Sequence, residues 1–442
     1  MSRVAVVGAG PAGIYAAEHL STVHGHQVDV FDALPVPCGL VRYGVAPDHF
    51  SIRSVRDKLT ETFENPLVRF RGNVHIGTDV STEELASWYD AVIYTYGASA
   101  DRSLGIPGEM SPASIPATEF VKWYTGHPEA QDFGDMLRTS EQVIVIGLGN
   151  VAVDVTRLLV KSIAELRVTD MPEHVLESFD KSVVRHVHVV GRRGPQHATF
   201  TTKELKELGE LEGVDVILDP RDLPADDAIA SSGNKVVERN LKVMRQWSEC
   251  HSEKHGEGPN SSNKKIEFHF YSTPQSFDAE KGSLTVERMQ LSSDDSVTGT
   301  GTYESIPADL VIRSVGYRGL PLEGLPFNDR TNVIPSTDGK VDGLAGTYVA
   351  GWIKRGPSGI IGTNKKDAVA SVESLSTDLN GRQSVALDAH GVDEILRARD
   401  VRCIDFEGWK RVNAAEIALG AERGRARTTI HERDRLIEIG LG

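Results

Sequence analysis

Two glycine-rich turns of one design, each between a short apolar strand and a helical pattern, predict an α/β protein. Its architecture is two Rossmann-like dinucleotide-binding domains, each a three-layer stack of helices around a sheet. The first turn is Gly8-Ala-Gly10-Pro-Ala-Gly13, directly after Val4 to Val7, and the second is Gly147-Leu-Gly149-Asn-Val-Ala152, directly after Val143 to Ile146. In that context the first glycine makes the tight turn and the second lets backbone N–H groups reach a diphosphate. The third small residue lets helix and strand pack closely. The helix N-terminus then offers unpaired N–H groups and a positive dipole end to the anion. A third observation, the apolar run Tyr348 to Ala350 long after the second turn, returns the chain to the first domain. A chain of 442 residues suits two domains. The expected division is 1–106 with 317–442 for the first domain and 107–316 for the second.

In chain order, Val4 to Val7 reads as a strand, Pro11 to about Val23 as a helix, and Gln27 to Phe31 as a strand ending at Asp32. Asp57 to Phe63 is helical, and Asn73 to Ile76 and Ala91 to Tyr94 read as strands. In the second unit, Val151 to Leu166 continues the helix after the turn, and a mostly helical insert runs to about Val184. His186 to Val190 is the next strand. Lys203 to Leu211 and Val236 to Trp247 have helical periodicity. Ser252 to Lys264 and Ser292 to Thr302 are rich in Gly, Ser and Asn and read as exposed loops. Asp309 to Val315 is a buried strand. Tyr348 to Trp352 is the last strand of the first domain, followed by a helix from Thr363 to about Leu379. Asp393 to Ala398 and Asn413 to Leu419 are helical parts of a C-terminal appendage over the first domain.

The two turns differ at the ribose end. Asp32 closes the second strand about 20 residues past the first turn, where an acid accepts hydrogen bonds from both hydroxyls of an adenosine ribose. The corresponding strand of the second unit ends in Gly191-Arg192-Arg193-Gly194. A carboxylate there would repel a 2′-phosphate, whereas two guanidiniums offer it charge-assisted bidentate hydrogen bonds. FAD in the first site and NADP(H) in the second is the economical assignment. The turn Gly359-Ile-Ile361-Gly362 before the helix at Thr363 can supply N–H groups where a reduced flavin carries negative charge.

Composition narrows the class. Hydrophobic residues make up 39% and charged residues 25%, as in a globular chain, and no apolar run approaches the ~20 residues of a membrane span. The first strand begins too early to leave room for a leader. A net charge of −15 disfavours nonspecific nucleic-acid binding. Cys38, Cys250 and Cys403 form no redox pair, zinc pattern or cluster-ligand run. The expectation is a cytoplasmic, metal-free protein. Nothing in the chain sets the oligomeric state, and a monomer suffices.

Four blocks carry a family likeness: GLVRYGVAPDH (Gly39 to His49), GLGNVAVDVTR (Gly147 to Arg157), GRRGPQHATFTTKEL (Gly191 to Leu205) and VAGWIKRGPSGIIGTNKKDA (Val349 to Ala368). The chain resembles the adrenodoxin-reductase-like ferredoxin–NADP⁺ reductases, bacterial members most of all, over nearly its whole length. The resemblance implies a flavoprotein that takes a hydride from NADPH onto FAD N5 and passes single electrons to a ferredoxin-type iron–sulfur protein. It puts FAD contacts on Gly10, Pro11, Ala12, Asp32, Leu40, Ile76, Trp352, Gly359 and Ile361. It puts NADP contacts on Asn150, Val151, Arg192, Arg193, Glu204 and Gly359, and a catalytic acid–base pair near the nicotinamide on His49 and Glu207. His49 can relay a proton or hold its loop over the flavin, since hydride transfer itself needs no acid.

Cys38 departs from the family pattern, His197 interrupts the run after Arg193, and Trp352 stands where many two-dinucleotide flavoproteins carry Asp. An NADPH-oxidising subunit of a larger complex lacks its cysteine-rich cluster domain here, and a flavin monooxygenase lacks a second signature. A non-catalytic nucleotide sensor is disfavoured by two intact motifs. Arg239, Lys242 and Arg245, with Lys235 just before, recur every third residue on one helix and are a candidate docking stripe for an acidic partner.

Overall fold

The β-branched run Arg3–Val7 pairs in parallel with Gln27–Asp32 on one side and Ala91–Tyr94 on the other. Helix Pro11–Thr22 crosses between the first two, its start set by Pro11 at the first helical position, where the missing N–H costs nothing. The structure, a computed structural model, describes residues 2–225, 234–254, 263–292, 296–384 and 386–442.

Two compact units divide it: 1–100 with 125–129 and 316–442, and 101–124 with 130–315. The first crossing lies at Ala100/Asp101, earlier than the expected 106/107. The reason is Glu109, which accepts hydrogen bonds from Ser103 Oγ, Leu104 N and Gly105 N and pairs with Arg313, binding residues 103–109 into the second unit.

Among the described residues of the first unit, seven strands form one sheet. Its order is Ser336–Thr337, Lys340–Val341, Thr347–Val349, Ala91–Tyr94, Arg3–Val7, Gln27–Asp32, Val68–Gly72. The last five in that order run parallel. The core lies on both faces: Val4, Val6, Ile14, Leu20 and Leu375 on one, Ala5, Phe31, Leu85 and Ile353 on the other.

The outer strand corrects a sequence expectation. It is Val68–Gly72, and Asn73 to Ile76 forms the turn after it, with Asn73 at φ 59°. Arg69 and Arg71 made that strand look polar. Arg71 is in fact buried, pairing with Asp393 and lying 3.4 Å from Asp29.

In the second unit, a parallel sheet runs Ser114–Pro116, Leu310–Arg313, Gln142–Ile146, His186–Val190, Lys264–His269, Val214–Leu218. A three-stranded antiparallel sheet, Ser272–Asp278, Ser283–Leu291 and Val297–Pro307, adds Phe277, Leu284, Val286 and Ile306 to a core shared with Ile144, Ile146 and Val190. The helix after the second turn is Asn150–Val160. It stops where Ser162 and Glu165 make a capping box that starts Ile163–Leu166, so the expected single helix to Leu166 is two. The expected loop Ser292 to Thr302 is partly wrong, because Val297–Pro307 is a strand, while 293–295 lie outside the described residues. Of Ser252 to Lys264, helix Lys235–Lys254 takes the start and a strand begins at Lys264, while 255–262 lie outside the described residues. Among the described residues no helix is long and apolar enough to cross a membrane.

Candidate functional site

The first glycine turn admits only glycine at its two ends. Gly8 sits at φ +105°, and a Cβ there would lie 2.8 Å from Tyr96 Cα, while one on Gly13 would lie 1.9 Å from the Gly8 carbonyl oxygen. A Cβ on Gly10 would meet nothing within 4 Å. The turn is therefore braced from behind and open in front, as a cradle for a diphosphate must be. Gly8 N donates to Phe31 O at 2.7 Å, and Thr95 Oγ1 donates to the Val7 and Gly8 carbonyls, both at 2.9 Å.

Asp32 stands at the end of this cradle. Its Oδ2 accepts from Ala9 N at 2.6 Å and its Oδ1 from Leu34 N at 2.8 Å. Burial pushes the carboxyl up to about 6, against the pull of those two N–H donors. A carboxylate has about four lone-pair sites, so both oxygens can still accept a ribose hydroxyl.

The 34–49 segment folds onto the turn. Cys38 N donates to Ala9 O at 2.8 Å, and Gly39, at φ +46°, comes so near that its Cβ would lie 3.1 Å from Gly10 Cα. Leu40 then opens the short helix Leu40–Tyr43. Cys38 itself is fully buried at φ 86°, with its thiol 3.8 Å from Arg56 O, and burial pushes that thiol up to about 12. It packs in the first unit's core, where burial disfavours its thiolate. His49 is buried at the start of Phe50–Arg53, its backbone N donating to Ala46 O at 3.0 Å. Ile76 is buried in the core with Val80 and Leu85.

The late segment closes the other side. Gly351, at φ +77°, approaches Ala12 so closely that a Cβ would come within 2.7 Å of the Ala12 Cβ. Trp352 starts a helical turn rather than ending a strand, because the strand is Thr347–Val349. Its indole Nε1 donates to Ser358 O at 3.2 Å, and its ring lies 5.5 Å from that of Tyr317. Gly359 is exposed at φ +82°, with Thr363 against it, and Ile361 opens helix Ile361–Leu379.

Sequence reasoning missed what holds this segment. Asp367 accepts from Gly351 N at 2.5 Å and Lys354 Nζ at 2.9 Å, and Ser371 Oγ reaches Val349 O at 2.9 Å. The signal was Lys365-Lys-Asp367 in the fourth block, which carried no assigned role. Equally hidden was a buried ion cluster beneath the first unit's loop. Glu416 pairs with Arg42 and, at 2.8 Å, with Arg427 Nη1, and it also accepts from Ile430 N at 2.9 Å. Arg53 Nη1 donates to the carbonyls of Arg42, at 3.0 Å, and Val45, at 2.8 Å.

In the second unit a Cβ on Gly147 would strike Ser314 O at 2.2 Å, while one on Gly149 would have only Thr199 Oγ1, at 3.5 Å. This turn is again closed behind and open in front. Val151 is half-buried in the first turn of Asn150–Val160, and Asn150 Oδ1 accepts from Thr201 N at 3.1 Å. Arg192 and Arg193 are exposed, with no side-chain partner among the described residues, which suits a phosphate-binding pair.

Glu204 caps its own helix. Its side chain accepts from Thr201 N at 3.3 Å and from Thr201 Oγ1 at 2.9 Å, closing the capping box of Thr202–Gly209. Glu207 lies on the same helix with one oxygen 3.7 Å from Arg157 Nη1 and the other 3.8 Å from Lys203 Nζ. The basic stripe is also not uniform: Lys235, Arg239 and Lys242 are exposed, but Arg245 is half-buried with Nη2 donating to Pro224 O at 2.5 Å.

Residues 2–193 match the pyridine nucleotide-disulphide oxidoreductase family. The chain is 41% identical to the NADPH-ferredoxin reductase FprA of Mycobacterium leprae, over 100% of its own length and 98% of that protein. It is 34% identical to the mitochondrial NADPH:adrenodoxin oxidoreductase of Arabidopsis thaliana, over 96% of its length and 92% of that protein. The solved structure of Mycobacterium tuberculosis FprA in complex with NADPH has 40% sequence identity and superimposes with a TM-score of 0.92, each chain covered in full. On sequence and on fold, the chain belongs to the adrenodoxin-reductase-like family of NADPH-ferredoxin reductases.

Proposed function

We infer that the chain is an NADPH-dependent flavoprotein reductase, an FAD- and NADP(H)-using oxidoreductase that delivers electrons to a ferredoxin-type iron–sulfur protein. One observation carries the reading: two cradles of the same backbone design differ in charge where the ribose belongs. Half-buried Asp32 serves a nucleotide with both ribose hydroxyls free, and the exposed Arg192 and Arg193 serve one with a 2′-phosphate. Bound FAD supplies the chemistry that links the two, because it accepts a hydride from NADPH and gives up electrons one at a time.

The chain's own residues bind and orient. Gly8, Gly10, Pro11, Ala12 and Gly13 present the first helix N-terminus to one diphosphate, and Gly147, Gly149, Asn150 and Val151 do the same for the other. Leu40, Trp352, Gly359 and Ile361 lie on the two segments that fold back on the first turn, and we assign them to the flavin side. Ile76 supports that cradle from within the core. His49 is read as holding its loop, and Glu207 as a charge partner of Arg157 and Lys203. Glu204 acts through its helix cap. We place the protein in the cytoplasm as a monomer. Buried, unpaired Cys38 and the free Cys403 support a reducing compartment.

The reading is tested by anaerobic addition of NADPH to the purified yellow protein. Rapid bleaching of the flavin, with FAD rather than FMN released on denaturation, is the expected result. A protein that carries FMN, or whose flavin NADPH leaves oxidised, would refute the assignment.

A further inference from the structure

Four side chains on one face of the second unit's sheet take no part in the nucleotide cradle. In the parallel strands His186–Val190 and Lys264–His269, residues two apart share a face, and His188 pairs in register with Glu267. His186, His188, Glu267 and His269 therefore converge. His186 Nε2 lies 3.0 Å from Glu267 Oε2, and His188 Nδ1 lies 3.6 Å from the same oxygen. His188 Nδ1 is 3.0 Å from His269 Nε2, which is 3.9 Å from Glu267 Oε1. Tetrahedral bonds of roughly 2.0–2.2 Å put neighbouring donor atoms roughly 3.3 Å apart, so His186, His188 and Glu267 already stand within reach of one ion, and His269 borders them through His188.

Two further observations point to a metal. Gln142 Oε1 lies 3.1 Å from His188 Nε2, so the amide oxygen accepts the Nε2 proton and leaves the Nδ1 lone pair facing the cluster. That is how outer partners orient metal-ligating histidines. Buried His186 Nε2 lies 3.0 Å from Glu267 Oε2 without satisfying hydrogen-bond geometry, an approach that a shared cation would bridge. The Glu267 side chain is 31% exposed and gives access from solvent, while that of His188 is 4% exposed.

We propose that His186, His188, His269 and Glu267 form a tetrahedral site for a divalent cation of the zinc class. Three imidazoles and one carboxylate suit zinc or cobalt, whereas calcium and magnesium require oxygen ligands. The site cross-links two adjacent strands just before the Arg192–Arg193 turn, since Gly191 N donates to His269 O at 3.0 Å. It runs against the metal-free expectation, which weighed only cysteine patterns. The sequence signal is His186-Val-His188 and Glu267-Phe-His269, two ligand pairs at strand spacing.

The test is titration of chelator-treated holoenzyme with Zn²⁺ by equilibrium dialysis, and with Co²⁺ by difference spectroscopy against the flavin. One equivalent of zinc should bind per chain with a Kd below about 1 µM, and cobalt should give intense tetrahedral bands. His186→Gln and Glu267→Gln should each weaken binding by about 100-fold or more with the flavin spectrum retained. Glu267→Gln, isosteric and partly exposed, decides the matter if the histidine variant loses its flavin. His24→Gln removes one ligand from the other cluster, His19, His24 and Glu373, and should leave the tight equivalent in place. No saturable binding, weak octahedral cobalt bands, or tight binding unchanged by Glu267→Gln would overturn the proposal.

Discussion

At the scale of single residues, the reading turns on Arg192 and Arg193. Replacing both with Ala removes hydrogen bonds that exist only with NADPH. At ~1.5–3 kcal/mol for each bond to a charged group, kcat/KM for NADPH should fall by about two to three orders of magnitude. The loss should sit mainly in KM, because the phosphate is remote from the transferred hydride and binds ground and transition states alike. The value for NADH should change less than about threefold on the same argument. Equal losses with both cofactors would reassign the arginines to the fold.

Asp32 makes a second prediction. Its carboxyl is raised from 3.8 to about 6, so ionising it in the folded apoprotein is unfavourable. That contribution to stability is fully present below the unfolded value and is lost as pH rises through the folded one. FAD binding has the opposite sign, because ribose hydroxyls donate to the ionised form. Affinity of the apoprotein for FAD should weaken by up to about tenfold per pH unit below the shifted value, and Asp32→Asn should flatten the profile. A wild-type affinity that does not change between about pH 5 and about pH 7.5 would contradict the assigned role.

Asp32, Arg192 and Arg193 were legible because each sits at a fixed distance from a local motif. Asp367, Arg53 and Glu416 were not, because their partners are set by tertiary contact. Glu204 also closes the Thr201 cap, a local role for which its sequence block was not read.

At the scale of elements, helix Phe406–Glu422 matters for one buried side chain. Glu416 is fully buried between Arg42 and Arg427. Glu416→Ala leaves two buried guanidiniums facing each other, and breaking a buried pair this way costs about 3–5 kcal/mol. Urea denaturation should show that loss, together with earlier release of flavin, since Arg42 lies in the segment folded over the first turn. Unchanged urea midpoints would mean that water or local rearrangement satisfies the arginines.

Elements with clean periodicity, such as Arg3–Val7 and Ile361–Leu379, were readable from sequence alone. Val68–Gly72 was not, because its buried Arg71 is neutralised by Asp29 and Asp393 from distant parts of the chain. The strands Val214–Leu218 and Ser283–Leu291 were missed as well. Their half-buried residues lack the uniform apolar run of a central strand.

At the scale of the whole molecule, a chain of net charge −15 would need a local basic face to dock an acidic iron–sulfur protein. The exposed Lys235, Arg239 and Lys242 are the local exception on helix Lys235–Lys254, and Arg245 belongs to the fold. If this face docks the partner, reversing those three charges should raise the KM for an acidic ferredoxin and flatten its salt dependence, with ferricyanide reduction little affected. An unchanged KM would place docking elsewhere.

The protein's defining reaction is transfer of electrons from NADPH through FAD to a one-electron iron–sulfur acceptor. Its most direct measurement is NADPH-driven reduction of cytochrome c by the purified holoenzyme, with and without an added plant- or adrenodoxin-type ferredoxin. The account predicts a slow basal rate that rises steeply and saturably with ferredoxin. A rate that ferredoxin leaves unchanged would describe a general NADPH diaphorase instead and would contradict it.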